Sequence, residues 1–296
     1  MTIKNFALIG AAGYVAPRHM RAIADTGNQL VAALDPKDSV GIIDSYFPDA
    51  AFFTEFERFD RHAEKLRRKK IQPIDYVSIC SPNYLHDAHM RFALRIGADA
   101  ICEKPLVLNP WNLDALAELQ AENGSRVWNI LQLRLHPGII ALKEQVTRDL
   151  GKNPDKIYDI DLTYLTSRGR WYFVSWKGAL EKSGGIATNI GIHFFDMLIW
   201  IFGPVKTSIV HRSDPDTAAG CFDLAHARVR WFLSVNAGYL PPEALDRGMR
   251  IFRSIQVNKQ EIEFSGGFTD LHTLSYQEIL AGRGFPLEEA RPSLET

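Results

Sequence analysis

Short apolar runs alternate with helical patterns through the first half of the chain, and this alternation restricts the fold more than any other feature. The apolar runs predict strands at residues 6–9, 30–34, 51–53, 76–79, 100–102 and 127–131. Between them, apolar residues recur at helical spacing and predict helices at residues 15–26, 38–47, 56–70, 85–96 and 111–123. Such alternation predicts an α/β fold with a doubly wound, Rossmann-type parallel sheet covered on both faces. Six strands fit the form of this fold that binds dinucleotides.

The pattern changes after about residue 151, where long strands follow one another with few helices between them. Strands are predicted at residues 156–165, 217–224, 226–235, 250–257 and 261–264, an apolar helix at 188–202 and a closing helix at 270–280. Strands joined by short turns favour an α+β domain with a largely antiparallel, open-faced sheet. We therefore predict a first domain at residues 1–132 and a second at residues 133–296.

The composition excludes several classes of protein. With 34 Lys and Arg against 35 Asp and Glu, the formal net charge is −1, which argues against a nucleic-acid partner. Three scattered cysteines, Cys80, Cys102 and Cys221, are too few for a disulfide framework or a zinc site, so no metal is expected. The longest continuous apolar run, residues 197–202, is far shorter than the roughly 18 residues that span a bilayer. Since no targeting pattern is visible either, we expect a cytoplasmic protein without a membrane partner.

A run of small residues directly follows the first predicted strand. The residues are Gly10, Ala11, Ala12 and Gly13, followed by Tyr14 and Val15. Small residues let the chain turn tightly, so that backbone N–H groups can approach a pyrophosphate at a helix N-terminus. The strict G-x-G-x-x-G pattern is absent: its first position is taken either by Ala11, or by Gly10 with one residue inserted.

Asp35 follows the second predicted strand and bears on the choice of dinucleotide. A carboxylate at this position accepts hydrogen bonds from the adenosine ribose hydroxyls and repels a 2′-phosphate, which favours NAD over NADP. The alternative is an aspartate that only closes a loop, because Asp35-Pro36 is common turn chemistry. Lys37 keeps NADP as a minority alternative.

Polar residues also follow the later strands, at the edge of the sheet where ligands bind in this fold. They are Ser81, Asn83 and His86 after the fourth strand, Glu103, Lys104 and Pro105 after the fifth, and Gln132 and Arg134 after the sixth. Pro105 favours an extended backbone at Lys104, which would direct the ammonium toward a bound substrate. A lysine at the end of a strand more often simply faces solvent, so spacing alone does not decide its role.

In the second half, Asn189 and His193 lie four residues apart and share one face of the predicted apolar helix. A lone histidine in an apolar helix is more often a core residue than a catalytic one, and Asp196 could orient it or cap a neighbour. The segment that precedes this helix is cationic and aromatic, as binding loops often are. Its candidate ligands are Arg168, Tyr172, Ser175 and Lys177, with a plain surface loop as the alternative.

Taken together and in this order, the motifs resemble the Gfo/Idh/MocA oxidoreductase family. The resemblance covers almost the whole chain and implies NAD as the cofactor, with a second domain for substrate binding and oligomerisation. It implies cofactor contacts from residues 10–15 and from Asp35, Ser81, Asn83, His86, Glu103, Lys104 and Gln132. It also implies that Lys104 and His193 flank the carbon that exchanges hydride.

One branch of the family is more similar still: the dehydrogenases of UDP-N-acetyl-2-amino-2-deoxyglucuronate, which act in the synthesis of O-antigen and other surface polysaccharides. The similarity lies in residues 132–137, in residues 167–178 and in Asn189 with His193. It implies oxidation of the 3-hydroxyl of UDP-N-acetylglucosaminuronate, and in some members reoxidation of NADH by 2-oxoglutarate. The substrate ligands would be Lys104, Arg134, Arg168, Tyr172, Ser175, Lys177, Asn189 and His193.

The catalytic roles follow from the chemistry that such an oxidation needs. Removing hydride from a secondary alcohol requires a base near pH 7, and His193 has a suitable intrinsic pKa. Lys104 would stabilise negative charge on the same oxygen. The opposite assignment, with Lys104 as the base, stays open. Asn189 stands where many relatives carry aspartate; it cannot exchange a proton and would position the substrate by hydrogen bonds.

Three other functions are kept as alternatives. The same pair of residues could oxidise another polyol, such as an inositol, although the cationic segment disfavours a substrate without phosphates. A non-catalytic, dinucleotide-binding regulator is the second alternative, which the presence of both Lys104 and His193 disfavours. A biliverdin-type reductase is the third and would need NADPH. From the resemblance we also expect a dimer or tetramer formed through the open sheet face.

Overall fold

In a computed structural model, which describes residues 2–262 and 270–296, strands and helices alternate through the first half of the chain as predicted. In chain order they are β1 Asn5–Ile9, α1 Ala16–Asp25, β2 Gln29–Leu34, β3 Ala51–Phe53, α2 Phe56–Lys69, β4 Tyr76–Ile79, α3 His86–Arg95, β5 Asp99–Cys102, α4 Trp111–Asn123 and β6 Val127–Asn129. The helix predicted at residues 38–47 is only a short 3-10 helix, Gly41–Ser45, because a glycine inside the pattern weakens a helix.

The second half departs further from the prediction. Its elements are α5 Pro137–Lys152, β7 Tyr158–Thr166, α6 Trp171–Val174, α7 Leu180–Ser183, α8 Ile192–Phe202, β8 Val205–Ser213, β9 Thr217–Leu224, β10 Ala227–Ser234, α9 Pro242–Asp246, β11 Ile251–Val257, β12 Gln260–Glu261, α10 Leu271–Leu280, β13 Phe285–Pro286 and α11 Arg291–Leu294. Helix α5 and strand β8 were not predicted. Part of the strand predicted at residues 261–264, namely 263–264, lies outside the described residues.

The chain divides into two compact units. The first comprises Met1–Gln132 and Asp270–Arg291, and the second Leu133–Thr269 and Pro292–Thr296. The prediction assigned all of residues 133–296 to the second domain, whereas residues 270–291 belong to the first. The reason is packing: β13 pairs with β6, and Tyr276 of α10 lies in one core cluster with Phe6 of β1.

In the first unit, the described residues form a seven-stranded sheet with the order β13-β6-β5-β4-β1-β2-β3. Strands β1 to β6 pair in parallel, and only the added β13 is antiparallel to its neighbour. The Rossmann-type sheet is thereby confirmed. The direction of winding reverses between β1 and β4, and in open α/β sheets such a reversal leaves a ligand-binding crevice at the carboxyl ends of the strands.

In the second unit, the described strands form a six-stranded sheet with the order β12-β11-β7-β10-β9-β8. Its pairs are antiparallel except β7 with β10, so the largely antiparallel sheet is confirmed. Helix α8 packs on this sheet through Phe195, whose ring lies 5.2 Å from the ring of Trp231 and 5.4 Å from that of Phe222. Strand β8 is exposed along nearly its whole length.

The segment Leu180–Phe202 has the length and apolar composition of a membrane span. However, 67% of its most apolar window is buried inside the structure. We therefore interpret it as the core helix of the second unit, whose apolar residues cover the sheet.

Candidate active site

The turn after β1 contains Gly10, one of the two residues considered for the first position of the glycine pattern. Gly10 has φ +87°, and a Cβ there would lie 2.6 Å from the carbonyl carbon of Cys80 and 2.7 Å from the nitrogen of Ser81. Its N–H donates to the carbonyl of Leu34 at 2.8 Å. The turn therefore lies directly against the ends of β4 and β2, and only glycine fits there.

The N-terminus of helix α1 can receive a phosphate. In the described part of the chain no side chain caps this helix, so the positive end of its dipole is open to an anion. The N–H groups of Ala16 and Arg18 already donate to the carbonyls of Gly13 and Val15, and Pro17 has no N–H. Tyr14 precedes the helix and is 83% exposed, with the guanidinium of Arg18 5.6 Å from its ring. The binding of a pyrophosphate at this turn stays a prediction.

Asp35 ties this turn to β2. Its Oδ2 accepts a hydrogen bond from the N–H of Ala12 at 2.9 Å, and its Oδ1 accepts one from the N–H of Lys37 at 2.9 Å. Asp35 therefore does close a loop, as the alternative interpretation held. Each carboxylate oxygen can accept a second bond, so the two backbone bonds still leave acceptor capacity for ribose hydroxyls.

Histidine side chains hold the loop after β4. Nδ1 of His86 lies 2.8 Å from the carbonyl oxygen of Pro105 and Nε2 lies 2.8 Å from that of Ser81, so the ring lies between the loops after β4 and β5. A neutral ring donates to one of these carbonyls, and an imidazolium donates to both. Burial lowers the pKa of His86, while the two carbonyls raise it. The Oγ of Ser81 bonds to Nδ1 of His89 at 2.8 Å, and burial lowers the pKa of His89 to about 4. Asn83 is buried in the same loop.

Glu103 is a cofactor contact by the family resemblance, but its carboxylate is hydrogen-bonded to two histidine side chains. Its Oε1 accepts hydrogen bonds from Nε2 of His19 at 3.0 Å and Nε2 of His272 at 2.9 Å. Burial alone would raise the pKa of Glu103, but these two bonds outweigh it and hold the pKa well below its usual range. The three side chains are close enough to hold a metal ion, although their distances are those of ordinary hydrogen bonds.

Lys104 follows directly, and its peptide bond to Pro105 is cis. The side chain is partly buried at the carboxyl end of β5. Burial lowers the pKa of Lys104, and the negative charge of Glu103 raises it. The protonation state of this lysine therefore depends on the carboxylate that precedes it.

Two buried acceptors lie at and just beyond the carboxyl end of β6. The Oδ1 of Asn129 and the Oε1 of Gln132 are both without a hydrogen-bond partner among the described residues. Orphaned buried acceptors mark a place where a ligand with N–H groups fits, and the nicotinamide carboxamide is such a group. Gln132 was predicted. Asn129 was missed because it stands inside the apolar run predicted as a strand at residues 127–131, whereas the strand of the structure ends at Asn129 itself.

In the second unit, the structure brings Asn189 and Tyr172 together. Asn189 lies in a π-helical stretch, Ala187–Gly191, that precedes α8, and its Nδ2 donates to the hydroxyl of Tyr172 at 3.2 Å. Burial raises the pKa of Tyr172, which Asn189 and the charge of Arg168 lower. His193 follows in the first turn of α8 and is partly buried. π-Helical turns are frequent at functional sites.

Asp196, whose partner the sequence left open, binds Arg134. The pair is bidentate, with Nε to Oδ2 at 2.9 Å and the second guanidinium nitrogen to Oδ1 at 2.7 Å. Both side chains are only 4% exposed. Two nitrogens of Arg134 thus already donate to Asp196, and a contact of Arg134 with a substrate stays a prediction.

The cationic segment before α7 is shaped by local bonds. Ser175 donates from Oγ to the carbonyl of Tyr172 at 2.8 Å and caps a short 3-10 helix, Trp176–Gly178. The ammonium of Lys177 lies 4.0 Å from the ring centre of Trp176. Arg168 is exposed. The structure thus gives Ser175 a structural role, while Arg168 and Lys177 supply positive charge to this segment.

Comparison with known proteins identifies both units. Residues 4–130 match the Gfo/Idh/MocA oxidoreductase family, NAD-binding Rossmann fold, and residues 143–252 match the C-terminal alpha/beta domain of the same family. The WlbA (WbpB) dehydrogenase from Thermus thermophilus, solved in complex with NAD and alpha-ketoglutarate, is 51% identical with a TM-score of 0.93. A second structure of that dehydrogenase, with NAD and UDP-GlcNAcA, is 50% identical with a TM-score of 0.93. Each match covers 99% of this chain and 93% of the other.

A curated relative shows a more distant similarity. The putative oxidoreductase YteT from Bacillus subtilis is 27% identical over 171 residues, which are 57% of this chain. The matched part is 38% of that relative's length, so the chain spans well under two thirds of it.

Proposed function

Because this chain belongs to the Gfo/Idh/MocA oxidoreductase family, we propose that it is an NAD-dependent sugar-nucleotide dehydrogenase that oxidises the 3-hydroxyl of UDP-N-acetylglucosaminuronate to a ketone. The observation that carries the proposal is the 50% identity, over 99% of the chain, to a dehydrogenase solved with NAD and UDP-GlcNAcA. The complex of that dehydrogenase with alpha-ketoglutarate supports 2-oxoglutarate as a second substrate.

The residues of the first unit fit NAD. The turn at Gly10 and the uncapped N-terminus of α1 would hold the pyrophosphate, and Asp35 the adenosine ribose. The orphaned acceptors of Asn129 and Gln132 would bind the carboxamide. Bound NAD supplies the acceptor for the hydride. Further contacts are proposed from Ala11, Ala12, Gly13, Tyr14, Val15, Ser81, Asn83, His86, Glu103 and Lys104.

The reaction needs a base and a group that stabilises charge on the reacting oxygen. In the proposed mechanism His193 accepts the proton of the sugar 3-hydroxyl. Lys104 stabilises the negative charge that develops on that oxygen. Asn189, held by Tyr172 at 3.2 Å, positions the sugar by hydrogen bonds and exchanges no proton.

The remaining proposed ligands serve a substrate that carries a diphosphate and a carboxylate. Arg168 and Lys177 offer positive charge to these groups. Arg134 and Ser175 stay proposed ligands, although both have local partners within the second unit. The cellular role that we propose is surface-polysaccharide (O-antigen) precursor synthesis in the cytoplasm. The proposed assembly is a homodimer or homotetramer formed through the exposed side of β8, because sheet faces without their own cover are usually buried by a partner.

The proposal is tested by single-turnover absorbance on the purified protein. UDP-N-acetylglucosaminuronate is added with NAD, and the reduced-nicotinamide band is followed before and after 2-oxoglutarate is added. We expect a band that appears with the sugar nucleotide and fades with the keto acid. A band that appears and stays would support the dehydrogenase and contradict the recycling.

NAD binding is measured separately, so that the absence of a reduced-nicotinamide band can be interpreted. If NAD binds and no band appears, the sugar-nucleotide assignment is wrong. Myo-inositol is then the next substrate to be added. If that polyol gives no band either, a dinucleotide-binding regulator becomes the better account of the chain.

A further inference from the structure

A chain of buried hydrogen bonds connects Glu103 to helix α10, which belongs to the first unit. The hydroxyl of Tyr276 bonds to Oγ of Ser78 at 2.5 Å and to Nδ1 of His19 at 2.8 Å. Nε2 of His19 and Nε2 of His272 then meet the same carboxylate oxygen of Glu103. Both His272 and Tyr276 belong to α10, on the segment that joins the first unit from the far end of the chain.

The direction of each hydrogen bond follows from the groups involved. An ionised carboxylate only accepts, so both Nε2 atoms must carry a hydrogen. Burial lowers the pKa of His19, which keeps its ring neutral and leaves Nδ1 as an acceptor. Tyr276 must then donate to His19 and accept from Ser78. The carboxylate of Glu103 and the hydroxyl of Tyr276 therefore favour the same tautomer of His19, the one that donates to Glu103.

This chain of bonds ends beside the proposed catalytic lysine. Glu103 immediately precedes Lys104, and the backbone N–H of Lys104 lies 3.3 Å from Oε2 of Glu103. One carboxylate oxygen thus faces the two histidines, and the other faces the lysine backbone. The hydrogen bonds from His19 and His272 stabilise the negative charge of Glu103, and this charge raises the pKa of the Lys104 ammonium.

We propose that His272 and Tyr276 are positioning residues: through Glu103 they maintain a negative charge next to Lys104, so that this lysine works as an ammonium and not as the base. The inference rests on the proposed function, because only then does Lys104 meet a reacting oxygen. It assigns the base to His193 and gives α10 a part in the reaction, although neither of its two residues contacts the substrate.

Other charged and titratable groups also act on this cluster. They are Arg18 of α1, Cys80 after β4, Cys102 of β5 and His86 of α3. Burial raises the pKa of both thiols far above its usual range, so neither carries charge near pH 7. Arg18 lowers the pKa of His19, and Lys104 lowers that of His86. Glu103 is therefore the negative charge in this set at neutral pH.

The first test measures the titration of Lys104 in the full-length protein without substrate. The protein is labelled with [13Cε]lysine, and the Lys104 signal is assigned by its loss in Lys104→Arg. His272→Leu removes one donor to Glu103, and His272→Gln places an amide N–H at the same point. Gln277→Leu, an exposed position of the same helix, is the control.

We expect Lys104 in His272→Leu to titrate at lower pH than in the wild type, because the loss of a donor raises the pKa of the buried Glu103 and so weakens the negative charge next to the ammonium. His272→Gln and Gln277→Leu should titrate with the wild type. Tyr276→Phe deletes a single hydroxyl and should move the titration in the same direction as His272→Leu, which keeps the test valid if that variant fails to fold. An unchanged Lys104 titration in the folded variants would overturn the proposal, as would a glutamine variant that behaves like the leucine variant.

The second test uses the pH profile of the single-turnover rate. If the ammonium is the working form, the rate is lost as the pH rises through the pKa of Lys104, so His272→Leu moves the alkaline limb to lower pH. If Lys104 were the base, the same variant would move the acidic limb to lower pH, and the proposal would be wrong. Because the NMR titration needs no substrate, it separates a failure of this inference from a failure of the proposed sugar-nucleotide chemistry.

Discussion

Gly10 and Gly27 share a left-handed backbone but differ in what surrounds them. Gly10 has φ +87° and Gly27 has φ +72°. A Cβ on Gly10 would meet the backbone of Cys80 at 2.6 Å, whereas one on Gly27 would have nothing within 4 Å. The two positions therefore separate the cost of backbone conformation from the cost of a steric overlap at the proposed cofactor turn.

We expect Gly27→Ala to lower the free energy of unfolding by about 1–2 kcal/mol, the usual cost of a left-handed alanine. Gly10→Ala should lower it by roughly 3–4 kcal/mol, because the turn must also move away from β4. It should weaken NAD binding as well, while Gly27→Ala should not. Urea unfolding and NAD titration measure the two effects. Equal losses of stability would contradict the steric argument.

His193→Asn tests the proposed base. Asparagine cannot take up the proton of the sugar hydroxyl, so kcat should fall by about 10²–10⁴-fold. NAD binding should change little, because the proposed cofactor contacts lie in the first unit. The control is Gln145→Asn at an exposed position of helix α5, which should leave kcat unchanged. Unchanged turnover in His193→Asn would remove this residue from the mechanism.

At the scale of secondary-structure elements, an ion pair on α8 can be compared with an exposed one to show how burial changes the contribution of such a pair to the free energy of unfolding. Asp196 on this helix and Arg134 form a bidentate pair with both side chains 4% exposed. Asp161 and Arg230 form a bidentate pair between β7 and β10, with side chains 43% and 75% exposed. Similar geometry at two levels of burial provides a natural comparison.

We expect Asp196→Asn to lower the free energy of unfolding by about 3 kcal/mol or more, because it leaves the buried Arg134 charge without its counterion. Asp161→Asn should change stability little, since water and salt screen an exposed pair. Denaturant titrations of both variants and the wild type check this. A similar effect of the two substitutions would show that burial does not decide the strength of these pairs.

A strand or helix can be predicted from the sequence only where its burial gives the apolar residues a regular spacing. The strands of the first unit are buried between helices, so their short apolar runs marked them clearly. Strand β8 was missed because its exposed residues show no apolar alternation. The helix predicted at residues 188–202 was found, but its π-helical start was not, because it depends on packing such as that of Gly191 against Leu233.

The site could be predicted only in part, for the same reason. Gly10, Asp35 and Lys104 stand directly after strands, where local sequence indicates position. The bonds of Glu103 to His19 and His272 join residues up to 169 positions apart, and no local pattern marks them. The assignment of residues 270–291 to the first unit escaped the prediction because it depends on the same long-range packing.

For the whole molecule, buried neutral histidines predict sensitivity to mild acid. Burial lowers the pKa of His19 and of His89, the latter to about 4. Such a histidine takes up its proton more readily in the unfolded chain, so its contribution to stability is present above about pH 6.5 and is lost as the pH falls. Each can contribute up to about 1.4 kcal/mol per pH unit within that range.

We therefore expect the free energy of unfolding, measured in urea, to fall between pH 7.5 and pH 5. His89→Asn removes one titrating group and should make the decline shallower. Gln145→Asn, at an exposed position without a titrating group, should leave the slope unchanged. A slope that is the same in wild type and His89→Asn would show that His89 does not contribute.

The assignment of Asp270–Arg291 to the first unit has a consequence for synthesis of the chain. During translation, the sheet of the first unit leaves the ribosome long before β13 can pair with β6, and Glu103 is made well before His272. The intervening residues, which supply most of the second unit, must be translated while the first unit still lacks an edge strand and a donor to its buried carboxylate. The nascent first unit is therefore incomplete until residues 270–291 have been made, and until then β6 lacks β13 and Glu103 lacks His272.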